Sequence, residues 1–341
     1  MLKILTDESI IHRSQVHFLK SLRRYAEEKI PVNIGHMGAT IKARVSYAPR
    51  LDIWFISRKL ENGRFWNAFG CGRPPEGSAT PIGCEINFPL QGIDRRIGGL
   101  LAKDQTGQIY ILHRGRIGGG KRGIGRHLFR EHYRGAWTWL EDGASDSPAV
   151  VIGRLKSPLL ARQVAQFVFK VEQLKRNNPG RPQLSITFGE SGFGPDRIGS
   201  ALEEQQTSPD AECDRQLVMA DLAGQLHSAG CQVGNDSSRD LFLLSDGGMV
   251  SHVFEVKTEI TDRTLREGIA GLLWNSPSPL DRPKMFLVLP EAPDRERGEK
   301  MKLLGIRALT YKWQDDRAVF DDPAGSAENT EAKSTLADLL K

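Results

Sequence analysis

Between Arg239 and Thr258 the chain carries two short apolar runs, Leu241-Phe242-Leu243-Leu244 and His252-Val253-Phe254-Glu255-Val256, separated by the turn-forming Ser245-Asp246-Gly247-Gly248. Short apolar runs bounded by turn residues read as strands, and a spacer this short predicts that they pair as a hairpin. The flanks then fix the class of fold. Upstream, Val218, Leu222, Leu226 and Ala229 recur at helical spacing over Glu212 to Ala229, with Gly230 as a stop, and Cys231 to Val233 reads as a short strand. Downstream come a helix over Arg263 to Asn275 carrying Leu265, Ile269, Leu272 and Leu273, a wholly apolar strand Met285 to Leu289, a charged helix Arg295 to Leu304 closed by Gly305, and a last strand Ile306 to Trp313. Buried strands interleaved with helices predict an α/β layer fold.

The polar residues of this hairpin are the notable ones. Asp240 heads the first strand, and Glu255 and Lys257, two apart in the second, emerge on one face while Val256 faces the other way. Two carboxylates and an amine on neighbouring strands suit phosphodiester hydrolysis. That reaction needs an activated water and neutralisation of charge on a pentacoordinate phosphorus, which a hard Mg²⁺ held by carboxylates supplies, while a lysine orients the water or stabilises the phosphate. Here the sequence resembles the PD-(D/E)xK, or restriction-endonuclease-like, nuclease superfamily over about residues 210 to 315. Arg239 stands where the proline of that name would be. The resemblance implies a mixed sheet flanked by helices and a Mg²⁺-dependent deoxyribonuclease in which Mn²⁺ can substitute. It puts Asp240, Glu255 and Lys257 in the catalytic positions and the metal on Asp240 and Glu255. Many members add an acid from the first helix, where Glu212, Asp214, Gln216 and Asp221 all remain candidates. Ala270-Gly271 stands where relatives with Phe-Glu-Val-Lys-Thr often carry Gly-Gln.

With 341 residues the expectation is two domains. The sequence has no membrane-length apolar run and no leader-like start, so a cytoplasmic protein is expected. Cys71, Cys84, Cys213 and Cys231 are widely spaced without a Cys-x-x-Cys pair, which argues for free thiols rather than a zinc site or a disulfide scaffold. Net charge is +5, and its distribution matters more than its sum.

Residues 1–150 read as a β-rich, basic domain opened by an amphipathic helix over 7 to 29, with Asp7 as N-cap, Ile11, Val16, Leu19 and Leu22 on its apolar side, and Ile30-Pro31 ending it. Short runs follow at Ile41 to Tyr47, Leu51 to Arg58, Arg64 to Phe69, Glu85 to Phe88, Gly99 to Ala102 and Gln108 to His113. Residues 151–209 read as a helix and a flexible linker, 210–320 as the nuclease-like domain, and 321–341 as a disordered acidic tail.

From Arg114 through Arg134 the chain has seven Arg or Lys against one acid, Glu131, threaded with glycines. Glycines let a backbone approach phosphate and basic side chains neutralise it, so Arg114, Arg116, Lys121, Arg122 and Arg126 are the expected nucleic-acid contacts. Gly115 to Lys121 imitates a P-loop, but Arg122 replaces its Ser or Thr and the surroundings are β-rich rather than βαβ. Trp54, Phe55, Phe65, Trp66, Phe69, Trp137 and Trp139 read as core before they read as a base-stacking surface. The function expected is DNA cleavage of restriction or anti-phage defence type, with DNA preferred to RNA as partner and homodimers allowed. The alternative is an inactive nuclease fold serving as a nucleic-acid-binding subunit.

Overall fold

The computed structural model describes residues 1–36, 39–117, 124–133, 135–142, 146–176, 209–236, 238–275 and 282–321. They fall into two compact units, one formed by the described residues up to 213 and the other by those from 214 onward.

The first unit opens with β1 (Leu2–Ile4), a strand too short to leave a periodic signal, and α1 (Glu8–Arg23). The Asp7 carboxylate accepts from Ile10 N–H at 2.9 Å, as its N-cap position predicts. Ile11, Phe18 and Leu22 are buried, but Val16 is 56% exposed, contrary to the sequence reading. Val16 lies about 140° round the helix from Ile11 at ~100° per residue, outside the stripe that faces the core. The helix also ends earlier than expected. Pro31 does not stop it but sits inside β2 (Glu28–His36), where its carbonyl, like the Asn33 N–H, faces the outer edge of the strand rather than β3 (Ala39–Ala48). A proline costs no ladder bond there.

β4 (Ile53–Leu60), β5 (Arg64–Cys71), β6 (Ala79–Thr80), β7 (Cys84–Glu85) and β8 (Phe88–Pro89) complete a seven-stranded sheet in the order β6-β2-β3-β4-β5-β7, with β8 also on β5. β9 (Gly99–Lys103), β10 (Ile109–His113), α2 (Arg126–His132), β11 (Trp137–Glu141) and β12 (Asp146–Arg154) follow, and β1-β11-β12-β10-β9 close into a small barrel. α1 and α3 (Leu160–Arg176) share one core with sheet and barrel, in which Phe18, Leu22, Val164 and Phe167 meet Phe55, Phe69, Phe88, Leu101 and Ile111. Trp54, Phe55, Phe65, Trp66, Phe69 and Trp137 are buried, and Trp139 is partly exposed.

Asn67 and Asn87 form a buried structural network. The Asn67 N–H donates to Asn87 Oδ1, its side chain exchanges hydrogen bonds with Gln15 of α1 and donates to the Ile86 carbonyl, and Asn87 donates to Glu85. Asn67 is fully buried, so each of these bonds replaces a lost water.

α4 (Pro209–Ser228) begins at the last residue of the expected linker, and the rest of that linker, residues 177–208, lies outside the described residues. In the second unit, β13 (Gln232–Gly234), β14 (Leu241–Leu244) and β15 (Val250–Val256) form an antiparallel meander. α5 (Asp262–Trp274) then crosses to β16 (Lys284–Leu289), parallel to β15, and α6 (Arg295–Leu303) crosses to β17 (Ile306–Gln314), parallel to β16. β17 is not the last strand: β18 (Arg317–Asp321) returns antiparallel to it. The tail after Asp321 lies outside the described residues.

Strand alternation splits this sheet into two apolar faces. Phe254, Val256, Phe286, Val288 and Leu309 pack with Val218, Leu222 and Leu226 of α4. Val253, Met285, Leu287 and Ile306 pack with Leu265 and Leu272 of α5 and Met301 of α6. The unit is a mixed α/β layer structure, with α4 on one face and α5 and α6 on the other.

Candidate functional site

In the β14–β15 ladder Leu241 is opposite Phe254 and Phe242 opposite Val253. Continuing that register one residue brings Asp240 alongside Glu255, at the carboxyl end of β15 where it runs parallel to β16. Carboxyl ends of parallel strands are where open α/β sheets present ligand sites. Glu255 takes the α5 side by strand parity, whereas Asp240, just ahead of β14, lies at the strand end within reach of α4. The Val256 N–H donates to Asp240 Oδ2 at 2.8 Å, which fixes that carboxylate against the end of β15.

Lys257 reaches back along its own strand face, with Nζ 3.0 Å from Glu255 Oε1. Glu255, Lys257 and Asp240 are each largely shielded from solvent, with side-chain exposures of 16%, 19% and 10%. The structure therefore brings the three residues together. Burial, and then the neighbouring Asp240 charge, push the Glu255 carboxyl up to about 7, against the opposing pull of Lys257 and Arg215.

Arg215 is the residue that sequence reasoning missed. From α4 its Nη1 donates to Asp240 Oδ1 at 2.5 Å, so the first helix brings a cation to the site. Asp221, one of the four first-helix candidates, is turned elsewhere: its Oδ2 accepts from the Ala318 N–H at 2.8 Å and its Oδ1 lies 3.5 Å from Arg317. A signal for Arg215 was present, since it precedes Val218 by three and Leu222 by seven, on the stripe that faces the sheet.

α5 closes over the pair with glycines. A Cβ on Gly271 would meet the Glu255 carboxyl group at 3.6–3.7 Å, and one on Gly268 would lie 3.1 Å from Lys257 Cε and 2.6 Å from Leu287 Cδ1. The Ala270-Gly271 pair noted in the sequence thus lies beside Glu255, and nothing larger than hydrogen crowds the acid there.

Among the described residues no group of three or more His, Cys, Asp or Glu side chains gathers as a metal site. A two-acid set nevertheless fits Mg²⁺, which is commonly held by one or two carboxylates and completes its six ligands with water and substrate phosphate. The Glu255 carboxyl is raised first by burial and then by the Asp240 charge, and a cation held by the two acids would favour its ionised form.

The basic segment fares differently. Arg114 is buried, with Nη1 2.9 Å from Asp142 Oδ2, and Arg95 also reaches Asp142. It is a structural ion pair and not a surface contact; beside it the backbone turns at Gly115 (φ +79°), where a Cβ would collide with Phe129. Arg116 and Arg126 are exposed, and Lys121 and Arg122 lie outside the described residues. No helix among the described residues is long and apolar enough to cross a membrane. Comparison with family models, with curated proteins and with solved structures finds no match to this chain.

Proposed function

We propose that the second unit is a metal-dependent nuclease of the restriction-endonuclease-like fold, acting on DNA in a restriction or defence role. The single observation that carries this reading is the crowding of Asp240 and Glu255 at one strand end, with Lys257 3.0 Å from the Glu255 carboxylate. The order of elements supports it. A helix, a three-stranded antiparallel meander bearing the acid and Glu-x-Lys, a helix and a parallel strand follow one another as the resemblance implies.

Asp240 and Glu255 would hold Mg²⁺, which when bound supplies an activated water and charge neutralisation at phosphorus. The chain's own groups do the rest. Lys257 holds the Glu255 carboxylate and offers an ammonium for charge developing on phosphate. With its carboxyl raised to about 7, Glu255 would release a proton near neutral pH on taking up the cation. The Val256 N–H and Arg215 fix the orientation of Asp240.

The test is nicking of supercoiled plasmid in Mg²⁺ and in EDTA by wild type, Asp240→Asn and Lys257→Ala. Expected is metal-dependent nicking that falls by about a hundredfold or more in each variant. Equal cleavage by all three would remove the site assignment.

A second reading, a nuclease fold retained for nucleic-acid binding without cleavage, is favoured by one observation: Arg215 occupies Asp240 Oδ1, an atom that would ligate the metal. Calorimetric titration with Mn²⁺ separates the two, since the enzyme binds metal and loses it in Asp240→Asn, whereas the inactive fold shows no such heat.

A further inference from the structure

With Arg114 buried, the question of what in the first unit meets a polyanion reopens. Residues 20–59 carry nine Lys or Arg against three acids, a larger excess than the +5 of the whole chain. Two of those acids are engaged, Glu28 with Arg73 at 2.7 Å and Asp52 with the Tyr47 hydroxyl at 2.9 Å.

The excess surrounds a built concavity. β3 and β4 pair only from Ser46↔Phe55 to Ala48↔Ile53, although β3 begins at Ala39 and β4 continues to Leu60. Beyond Ser46 and Phe55 the two strands fork. The fork opens a pocket of about 300 Å³, with Arg44 and Ser46 on one prong, Ser57 and Arg58 on the other, and Arg23 of α1 and Lys29 of β2 at its rim. No acid lines it. Arg23, Lys29, Arg44 and Arg58 are all exposed, and among the described residues none is held in an ion pair.

We infer that this fork binds the phosphodiester backbone of a nucleic-acid strand. Four cations around a concavity, without a neutralising carboxylate, are the electrostatic footprint of a phosphate-bearing ligand. Arginine forks match phosphate oxygens two at a time, and the serine hydroxyls on the two prongs can donate to further oxygens. A strand of nucleic acid is favoured over a lone phosphate because the four cations, one from each of four elements, carry more charge than a single phosphate group neutralises. The inference rests on the nucleic-acid partner of the proposed function but not on catalysis.

The experiment is fluorescence-anisotropy titration of labelled duplex and single-stranded oligonucleotides at several salt concentrations in EDTA, with every protein carrying Asp240→Asn. Proteins compared are the full chain so altered and the same chain with Arg23, Arg44 and Arg58 all changed to Gln, or all to Lys. Inorganic phosphate and a mononucleotide serve as competitors. The Gln set is expected to weaken binding at least about tenfold and to lower the slope of log K against log salt by roughly two to three, with the Lys set restoring most of both. Should circular dichroism show the Gln set misfolded, Arg44→Gln and Arg58→Gln singly carry the same reading, each removing about one unit of slope. Unchanged binding in the Gln set, no oligonucleotide binding at all, or displacement by inorganic phosphate at the oligonucleotide's own concentration range would each overturn it. If binding runs through these arginines while the chain with Asp240 intact never nicks DNA in Mg²⁺, the nuclease reading alone is retired. If the Gln set binds equally well, and nicks normally once Asp240 is restored, this inference alone is retired.

Discussion

Glu255→Gln offers a sharp test of the electrostatics at the hairpin. The folded-state carboxyl titrates at about 7 and its ordinary value is 4.5, so between those two pH values the folded chain holds a proton that the unfolded chain has released. Folding is therefore favoured at the acid end of this window and loses ground as pH rises through it. At ~1.36 kcal/mol per pH unit the full loss is about 3 kcal/mol, complete above pH 7. Glutamine cannot titrate, so the variant escapes this loss whatever fixed cost the substitution carries.

The quantity to measure is the stability of Glu255→Gln minus that of wild type, from urea unfolding of the full chain in EDTA at pH 4.5, 6 and 8, followed by circular dichroism. Differencing matters because burial depresses His113 and His252 to about 4. Those histidines make the folded state lose stability as pH falls below about 6.5, the opposite sense over an overlapping window. They cancel in the difference. The difference should move in favour of the variant by about 3 kcal/mol from pH 4.5 to 8, and excess Mg²⁺ should flatten it, since a metal binds the ionised acid. A flat difference in EDTA, or one moving toward wild type with rising pH, would refute the argument that burial and Asp240 together crowd Glu255.

Two glycines on one helix should behave oppositely. Gly271→Ala puts a methyl in ordinary contact with Glu255 and should be neutral or stabilise by up to about 1 kcal/mol through helix propensity, whereas Gly268→Ala collides with buried Leu287 and should cost roughly 1–3 kcal/mol in the same urea assay. Arg114→Ala should destabilise by about 3 kcal/mol by leaving the buried Asp142 with Arg95 alone, a largely exposed partner, yet leave the salt slope of oligonucleotide binding unchanged; a slope lower by about one would return Arg114 to the nucleic-acid surface. Asn67→Ala, which leaves Gln15 and the Ile86 carbonyl short of partners, should lower stability by about 2 kcal/mol or more, and a loss under half a kcal/mol would contradict the network.

The second unit was largely legible in the sequence because its signals are local. The hairpin around Ser245 to Gly248, the helical stripe through Val218 and Leu222, and the apolar run Met285 to Leu289 each depend on residues a few positions apart. Strand periodicity likewise determined that Glu255 and Lys257 share a face, as the 3.0 Å contact between them requires. The last strand was missed because β18 is a short return whose pairing with β17, not its composition, makes it a strand.

What only tertiary structure decided is which charges are neutralised, and by what. Asp240 meets Arg215 from a helix 25 residues upstream, and Arg114 meets Asp142, 28 residues away. Side-chain pairing across such separations leaves no period to read. The same holds for the fork between β3 and β4, whose sequences alternate like any other strands. Their ladder stops at Ser46 although both strands run on, and no change of residue type marks that point. Sequence set the number and spacing of charges on this chain. Packing chose which of them remain open to an outside partner, because a charge is free only when the fold brings it no opposite one.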